Sequence, residues 1–371
     1  MINKLPKFIN EFGSKVLLVY GGGSIKRIGL YDRIIKLLDD NGITYYDLSG
    51  VEPNPRVNTV EKGIKICREN SIDVILPIGG GSSIDCGKAI AAGYYYNGKV
   101  WDLVLDNSLV KNVLPIITVL TLAATGSEMD CFSVISNEET NDKMEIENYL
   151  LYPKYSILDP ENTFSVSAYQ TACGTVDIIS HLFEVYFNGV KDTYFQERII
   201  EGMLKTCVHY GPIACKKPDD YDARANLMWT ASWAINGFIA CGKMGPWPAH
   251  AMEHQLSAYY DVTHGHGLAV IIPALMKYIL NEKTALIFSN YGKNVFGINS
   301  DLSNMQIAEI AIDKTKRLFK DMGLKCRLRD LGINTRDKFE IMAEKACESG
   351  TEECMVSLYK KDIIKIYKLC F

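Results

Sequence analysis

The residues best suited to holding a metal are gathered in two short stretches. Asp177 and His181 are four residues apart in a segment with helical spacing, so both side chains leave one face of the helix. About seventy residues on come His250, His254, His264 and His266. Five of the chain's six histidines thus lie with Asp177 in two segments. One carboxylate with three imidazoles suits Fe(II) or Zn(II) and leaves a position open for a substrate oxygen. Taken alone, an Asp-x-x-x-His pair is more often an ion pair or a helix hydrogen bond. Histidines beside Gly265 and Gly267 read as a solvated turn. The clustering is what favours a metal, and spacing does not decide which of the later histidines bind it. His209, next to Tyr210-Gly211-Pro212, reads as structural.

A second kind of chemistry is suggested by glycine. Gly79-Gly80-Gly81-Ser82-Ser83-Ile84-Asp85 follows an apolar strand and opens a helix. Glycines let a phosphate approach the backbone, and a helix N-terminus supplies free N–H groups and the positive end of a dipole. Gly21-Gly22-Gly23-Ser24 also lies between a strand and a helix, and 121–128 adds small residues and hydroxyls after a further strand. None of these is the G-x-G-x-x-G dinucleotide fingerprint. A tight turn without a ligand is the plain alternative for each.

The elements that must position these groups alternate in the first 120 residues. Short apolar runs at 16–20, 44–48, 74–78 and 116–120 read as strands. Helical spacing fills 25–38, 60–67 and the stretch through Ala92. This alternation predicts an α/β domain with a parallel, Rossmann-like sheet covered by helices on both faces, whose ligands bind at the strands' carboxyl ends. From about Thr163 helical patterns take over, at 166–187, 195–210, 223–241 and 249–259. Residues 307–371 read as two or three amphipathic helices joined by turns at Gly323 and Gly332. The turn at 158–160 divides the chain into a dinucleotide-binding domain, 1–160, and an all-α metal-binding and substrate domain, 161–371.

Composition narrows the function classes. With 371 residues and a net charge of −4, nothing pulls the chain toward nucleic acid or an anionic membrane. No apolar run reaches the roughly 18–20 residues of a membrane span, and the first residues lack an apolar signal core. The 11 scattered cysteines, odd in number and without a C-x-x-C pair, fit reduced thiols in the cytoplasm.

Several stretches in order resemble the iron-containing alcohol dehydrogenase family, in its branch of NADPH-dependent butanol dehydrogenases and broad-range aldehyde reductases. They are Tyr20-Gly21-Gly22-Gly23-Ser24-Ile25-Lys26, Val51-Glu52-Pro53-Asn54-Pro55, Gly79-Gly80-Gly81-Ser82 with Asp85 and Lys88, 121–128, Gly174-Thr175-Val176-Asp177 with His181 and Glu184, and 250–267. The resemblance runs from about Lys15 to about Arg329 and implies the dehydroquinate synthase-like fold. It implies a divalent metal on Asp177, His181, His250 and His264, with His254 as a catalytic residue beside substrate and nicotinamide. His266 receives no role. It implies cofactor contacts at Gly80, Gly81 and Ser82, with Asp85 in the same turn, and further contacts at Asn54, Thr121, Thr125 and Lys143. A homodimer is implied too, although the family's usual edge strand and Phe-Gly-x-Gly turn are not matched ahead of Lys15.

NAD-preferring relatives place an aspartate at the end of the first strand, where a 2′-phosphate would be repelled. Here Gly22, Gly23 and Ser24 occupy that turn, with Lys26 and Arg27 following, so NADP(H) is expected over NAD(H). The expected reaction is the reversible reduction of short or medium aliphatic aldehydes. Trp247, Met244, Phe187 and Cys241 are candidates for an apolar substrate pocket, or for ordinary helix packing. A glycerol or polyol dehydrogenase and a non-catalytic dinucleotide- or metal-binding protein are the alternatives. A sugar-phosphate synthase would need a basic cluster that 250–266 does not show.

Overall fold

A computed structural model describes residues 1–299 and 301–371. The chain divides into two compact units, Met1–Val166 and Ser167–Phe371. The division falls six residues beyond the expected turn, because a short 3-10 helix, Pro160–Thr163, ends the first unit with Thr163 buried.

In the first unit, α1 (Leu5–Asn10) precedes β1 (Lys15–Tyr20). Then follow α2 (Ser24–Arg27), α3 (Leu30–Asp39), β2 (Thr44–Ser49), α4 (Val57–Asn70), β3 (Val74–Gly79), α5 (Gly81–Gly93), α6 (Val100–Leu105) and β4 (Ile117–Leu120). A hairpin, β5 (Phe132–Asn137) and β6 (Asp142–Glu147), comes before β7 (Tyr155–Ile157). The main sheet runs β2-β1-β3-β4-β7, and every pairing in it is parallel. Side chains of the central strands alternate between two cores. Leu17, Val19 and Ile75 join Val60, Ile64, Ile90 and Leu103 on one face. Val16, Leu18, Leu76 and Ile78 join Leu5, Ile9, Ile34 and Leu38 on the other. The expected sheet with helices on both faces is therefore present.

Two expectations need correction here. The helix read across 25–38 is two helices, because Gly29 adopts φ +71 and starts α3 anew. The β5–β6 hairpin and β7 were not read as strands. The hairpin's ladder pairs Ser136 with Lys143. Its β5 edge also meets the loop before α4, where the Ser136 N–H donates to the Pro55 carbonyl at 2.8 Å. Asn54 and Lys143 are thereby carried on neighbouring strips of backbone.

The second unit has only helices and loops among its described residues. They are α7 (Ala168–Tyr186), α8 (Tyr194–Lys216), α9 (Tyr221–Ile235), α10 (Pro248–Tyr260), α11 (His264–Ile279), α12 (Ala285–Phe296), α13 (Asn304–Asp321), α14 (Phe339–Cys347) and α15 (Lys360–Cys370). The helix read to Cys241 stops at Ile235, near Gly237 at φ +89. Gly323 and Gly332, at φ +91 and +84, make the expected turns between terminal helices. No helix of the described residues is long and apolar enough to cross a membrane.

Candidate metal and cofactor sites

Three helices of the second unit bring the expected metal-binding residues together. α7 is buried along nearly its whole length, so Asp177 and His181, one turn apart, share an inward face. Pro248 starts α10, and His250 is in its first turn. His264 is the first residue of α11, so the expected solvated turn is instead a helix start. The glycines beside it serve close packing. A Cβ on Gly265 would lie 2.1 Å from the Cys173 carbonyl oxygen of α7.

The donor atoms converge. One ligand atom each from Asp177, His181 and His250 lie within 4.8 Å of one another. Nε2 of His181 is 3.6 Å, and Nε2 of His264 3.5 Å, from the Asp177 carboxylate oxygen Oδ1. The His181 and His250 rings stack at 5.1 Å between centroids. His254 lies alongside, 5.5 Å from the His264 ring and 6.1 Å from that of His250.

Asp177 Oδ1 is buried and has no hydrogen-bond partner. Leaving a charged oxygen so placed costs several kcal/mol unless a positive group meets it. Protonated histidine does not fill that role at His181, whose burial pushes its pKa down to about 3. A neutral imidazole is a ligand, not a counter-ion. A carboxylate with neutral imidazoles is the donor set of a borderline divalent cation, so these residues fit one.

Two glutamates complete the cluster, and the sequence reading assigned neither a role there. The Glu184 carboxylate accepts the His250 backbone N–H at 3.0 Å and lies 3.1 Å from its Nδ1. Glu253 holds Nδ1 of His264. Each follows a proposed ligand by three residues, His181 and His250 respectively, which was the available signal.

The other histidines separate cleanly. His266 makes a structural tie: its Nε2 lies 3.0 Å from the Lys325 carbonyl oxygen and its Nδ1 3.1 Å from the Tyr169 hydroxyl. His209, read as structural, is exposed on α8. The proposed substrate pocket does not form as a set. Met244 is 72% exposed and Cys241 is exposed on a loop. Phe187 stacks on Phe288 with centroids 4.5 Å apart. Only Trp247 faces the site, 4.9 Å from the His250 ring.

In the first unit the glycine turns sit at the carboxyl ends of β1 and β3. Gly22 and Gly23 have open space where a Cβ would project, and Gly23 needs its freedom at φ +95. Ser24 begins the short α2. Gly80 caps α5 and Gly81 opens it, with Ser82 next. A Cβ on Gly81 would lie 2.4 Å from Thr125, so the turn and the 121–128 loop are in contact. Thr121 joins them through its backbone N–H, which donates to the Gly79 carbonyl at 2.9 Å.

Asp85 departs from the expected cofactor contact. Its carboxylate accepts from Ser127 Oγ at 2.6 Å and from the Val134 N–H at 3.2 Å. Burial pushes its pKa up to about 7. With both oxygens engaged by protein donors, Asp85 braces the loop and β5 behind the turn. Lys88 assists: fully buried, its ammonium donates to Asp130 Oδ1 at 2.7 Å and to the Asp130 and Phe132 carbonyls at 3.0 and 2.9 Å.

Comparison with known proteins places this geometry in a family. Residues 1–160 match the iron-containing alcohol dehydrogenase profile, and 171–371 match the C-terminal profile of the Fe-containing alcohol dehydrogenase family. The chain is 53% identical over 369 residues to NADH-dependent butanol dehydrogenase A of Clostridium acetobutylicum, covering 99% of this chain and 95% of that protein. It is 35% identical over 324 residues to an NADPH-dependent aldehyde reductase of Escherichia coli, covering 86% and 83%. A crystal structure of NADH-dependent butanol dehydrogenase A from Thermotoga maritima superposes with a TM-score of 0.93 at 36% identity, covering 100% of this chain and 94% of that one. The chain belongs to the iron-containing alcohol dehydrogenase family, in its butanol dehydrogenase and aldehyde reductase branch, and is an NAD(P)-dependent alcohol dehydrogenase.

Proposed function

We propose that this enzyme interconverts short or medium aliphatic aldehydes and their alcohols, with NADP(H) preferred over NAD(H). The observation that carries the metal-dependent part of this reading is the buried, unpartnered Asp177 Oδ1 facing two imidazole nitrogens. A divalent cation, Fe(II) or Zn(II), supplies Lewis acidity toward the substrate oxygen, and the nicotinamide supplies the hydride. Asp177, His181, His250 and His264 are the residues proposed to hold the cation. His254, beside these rings, is proposed to pass a proton to the developing alkoxide. Trp247 packs beside the His181 and His250 rings, at 5.6 and 4.9 Å between centroids.

Gly80, Gly81 and Ser82, at the start of α5, are proposed to take the pyrophosphate on free N–H groups. Asn54, Thr121, Thr125 and Lys143 are proposed to make further cofactor contacts. The cofactor preference rests on this chain's own residues. Gly22 leaves the end of β1 without a carboxylate, and Ser24 and Lys26 follow it. The butanol dehydrogenases of Clostridium and Thermotoga carry NADH in their names and the E. coli reductase NADPH, so names do not decide it. The family resemblance and the odd, scattered cysteines support a cytoplasmic homodimer.

Initial rates of butanal reduction with each reduced cofactor test the reading, with glycerol oxidation run alongside. Higher kcat/KM for butanal with NADPH is expected. Turnover of the polyol but not of butanal would favour the polyol dehydrogenase alternative, and a preference for NADH would overturn the cofactor assignment.

A further inference from the structure

We propose that Glu184 and Glu253 are positioning residues that fix which nitrogen of His250 and of His264 is offered to the cation. The proposal rests on the metal reading given above. Both carboxylates are buried, Glu253 completely. Glu184 Oε1 stands at Nδ1 of His250, and Glu253 Oε2 at Nδ1 of His264. An ionised carboxylate only accepts hydrogen bonds, so each Nδ1 carries the proton and each Nε2 keeps its lone pair. The freed nitrogens turn inward. Nε2 of His264 faces Asp177 Oδ1. Nε2 of His250, on the far side of the ring from Glu184, lies 3.5 Å from Ser180 Oγ, on α7 between Asp177 and His181.

The glutamates are themselves held. Glu184 Oε1 also receives the His250 backbone N–H, one of the donors that the first turn of α10 leaves unpaired. Glu253 Oε1 accepts from Ser257 Oγ at 2.6 Å. Space for Glu253 depends on Gly267, one turn beyond His264 on α11. A Cβ there would lie 2.7 Å from Glu253 Oε1. His181 provides the contrast, because its Nδ1 is buried without a partner. The protein therefore sets the tautomer of two imidazoles and leaves the third to be set by the cation. Carboxylate–imidazole pairs of this kind raise ligand basicity and orient the ring, and their loss costs about 10–100-fold in metal affinity.

The test uses the metal-free full-length chain, Co(II) alone as probe, and the isosteric variants Glu253→Gln and Glu184→Gln. A glutamine loses the charge and can turn its NH2 toward Nδ1, which favours the wrong tautomer. Co(II) affinity from visible absorption should fall about 10–100-fold in each variant. The 15N shifts of the histidine side chains in metal-free protein should show His250 and His264 protonated at Nδ1 in the parent and redistributed toward Nε2–H in the variant of the facing glutamate. Thermal midpoints of the metal-free variants monitor folding; if Glu253→Gln does not fold, Glu184→Gln carries the test. Folded variants that keep Co(II) affinity within twofold and the parental tautomers would overturn the proposal. A parent chain that binds no Co(II) would instead count against the metal reading, and the tautomer measurement would still decide this one.

Discussion

Placing a carboxylate at Gly22 should turn the enzyme away from NADPH while sparing NADH. Gly22 is exposed at the end of β1, does not adopt a left-handed φ, and has no atom within 4 Å of a built Cβ. Gly22→Asp therefore introduces a charge with little steric or conformational cost. Its effect on a 2′-phosphate is electrostatic. A carboxylate and a phosphate carrying about −1.5 to −2, some 5–6 Å apart, repel by about 1 kcal/mol in bulk water and by several at an effective dielectric near 20. The exposure of Gly22 argues for the lower part of that range, about 1–2 kcal/mol, or a 5- to 30-fold loss in kcat/KM for NADPH. NADH, with a ribose hydroxyl at that place, should be unaffected or bind better. Raising ionic strength from about 0.01 to 0.5 M should recover part of the NADPH loss by screening. The assay is butanal reduction with each cofactor at both salt concentrations. Equal losses for the two cofactors, or a loss indifferent to salt, would refute the placement of the adenosine end at this turn.

Other expectations follow from the same structure. Lys88→Met strips three hydrogen bonds from the Asp130 region and leaves its buried carboxylate without its cation. It should cost about 3–5 kcal/mol, read as a lower urea midpoint; an unchanged midpoint would contradict the account of how the hairpin is braced. His254→Phe should lower kcat about 100-fold or more while metal content stays at the parental level; loss of metal together with activity would make His254 a ligand instead. The metal-free protein should weaken on acidification. His181 is held near pKa 3 by burial against about 6.5 when unfolded, so the unfolded chain takes up the proton first. The native advantage is complete above about pH 6.5 and shrinks by about 1.4 kcal/mol for each unit below it, toward pH 3. His266, also depressed by burial, acts in the same direction. Equal urea midpoints at pH 7 and pH 5 would contradict that sign.

The central strands β1, β3 and β4 were legible because they are continuous apolar runs, as burial on both faces requires, whereas β7, three residues long and only partly buried, was missed. The hairpin was missed because β5 and β6 are partly polar, with only Ser133, Ile135, Lys143 and Ile146 buried. Gly265 and Gly267 read as a turn, yet they permit α11 to press against α7 and against Glu253. A glycine serving close helix contact and one serving a turn look alike in a sequence. The four proposed ligands were readable from type and spacing together with a family resemblance. Glu184 and Glu253 were not, since their role depends on which ring nitrogen each one meets across helices. Asp85 shows the opposite case, a carboxylate in a matched motif whose oxygens face the protein's own donors.

The central claim is that Asp177, His181, His250 and His264 hold a single divalent cation needed for turnover. Elemental analysis of the purified chain and of its Asp177→Ala and His264→Ala variants, paired with NADPH-dependent butanal reduction, tests it most directly. One equivalent of Fe or Zn in the parent, with metal and turnover lost together in both folded variants, is the expected result. A folded variant that keeps parental turnover without metal, or a parent fully active when metal-free, would contradict it.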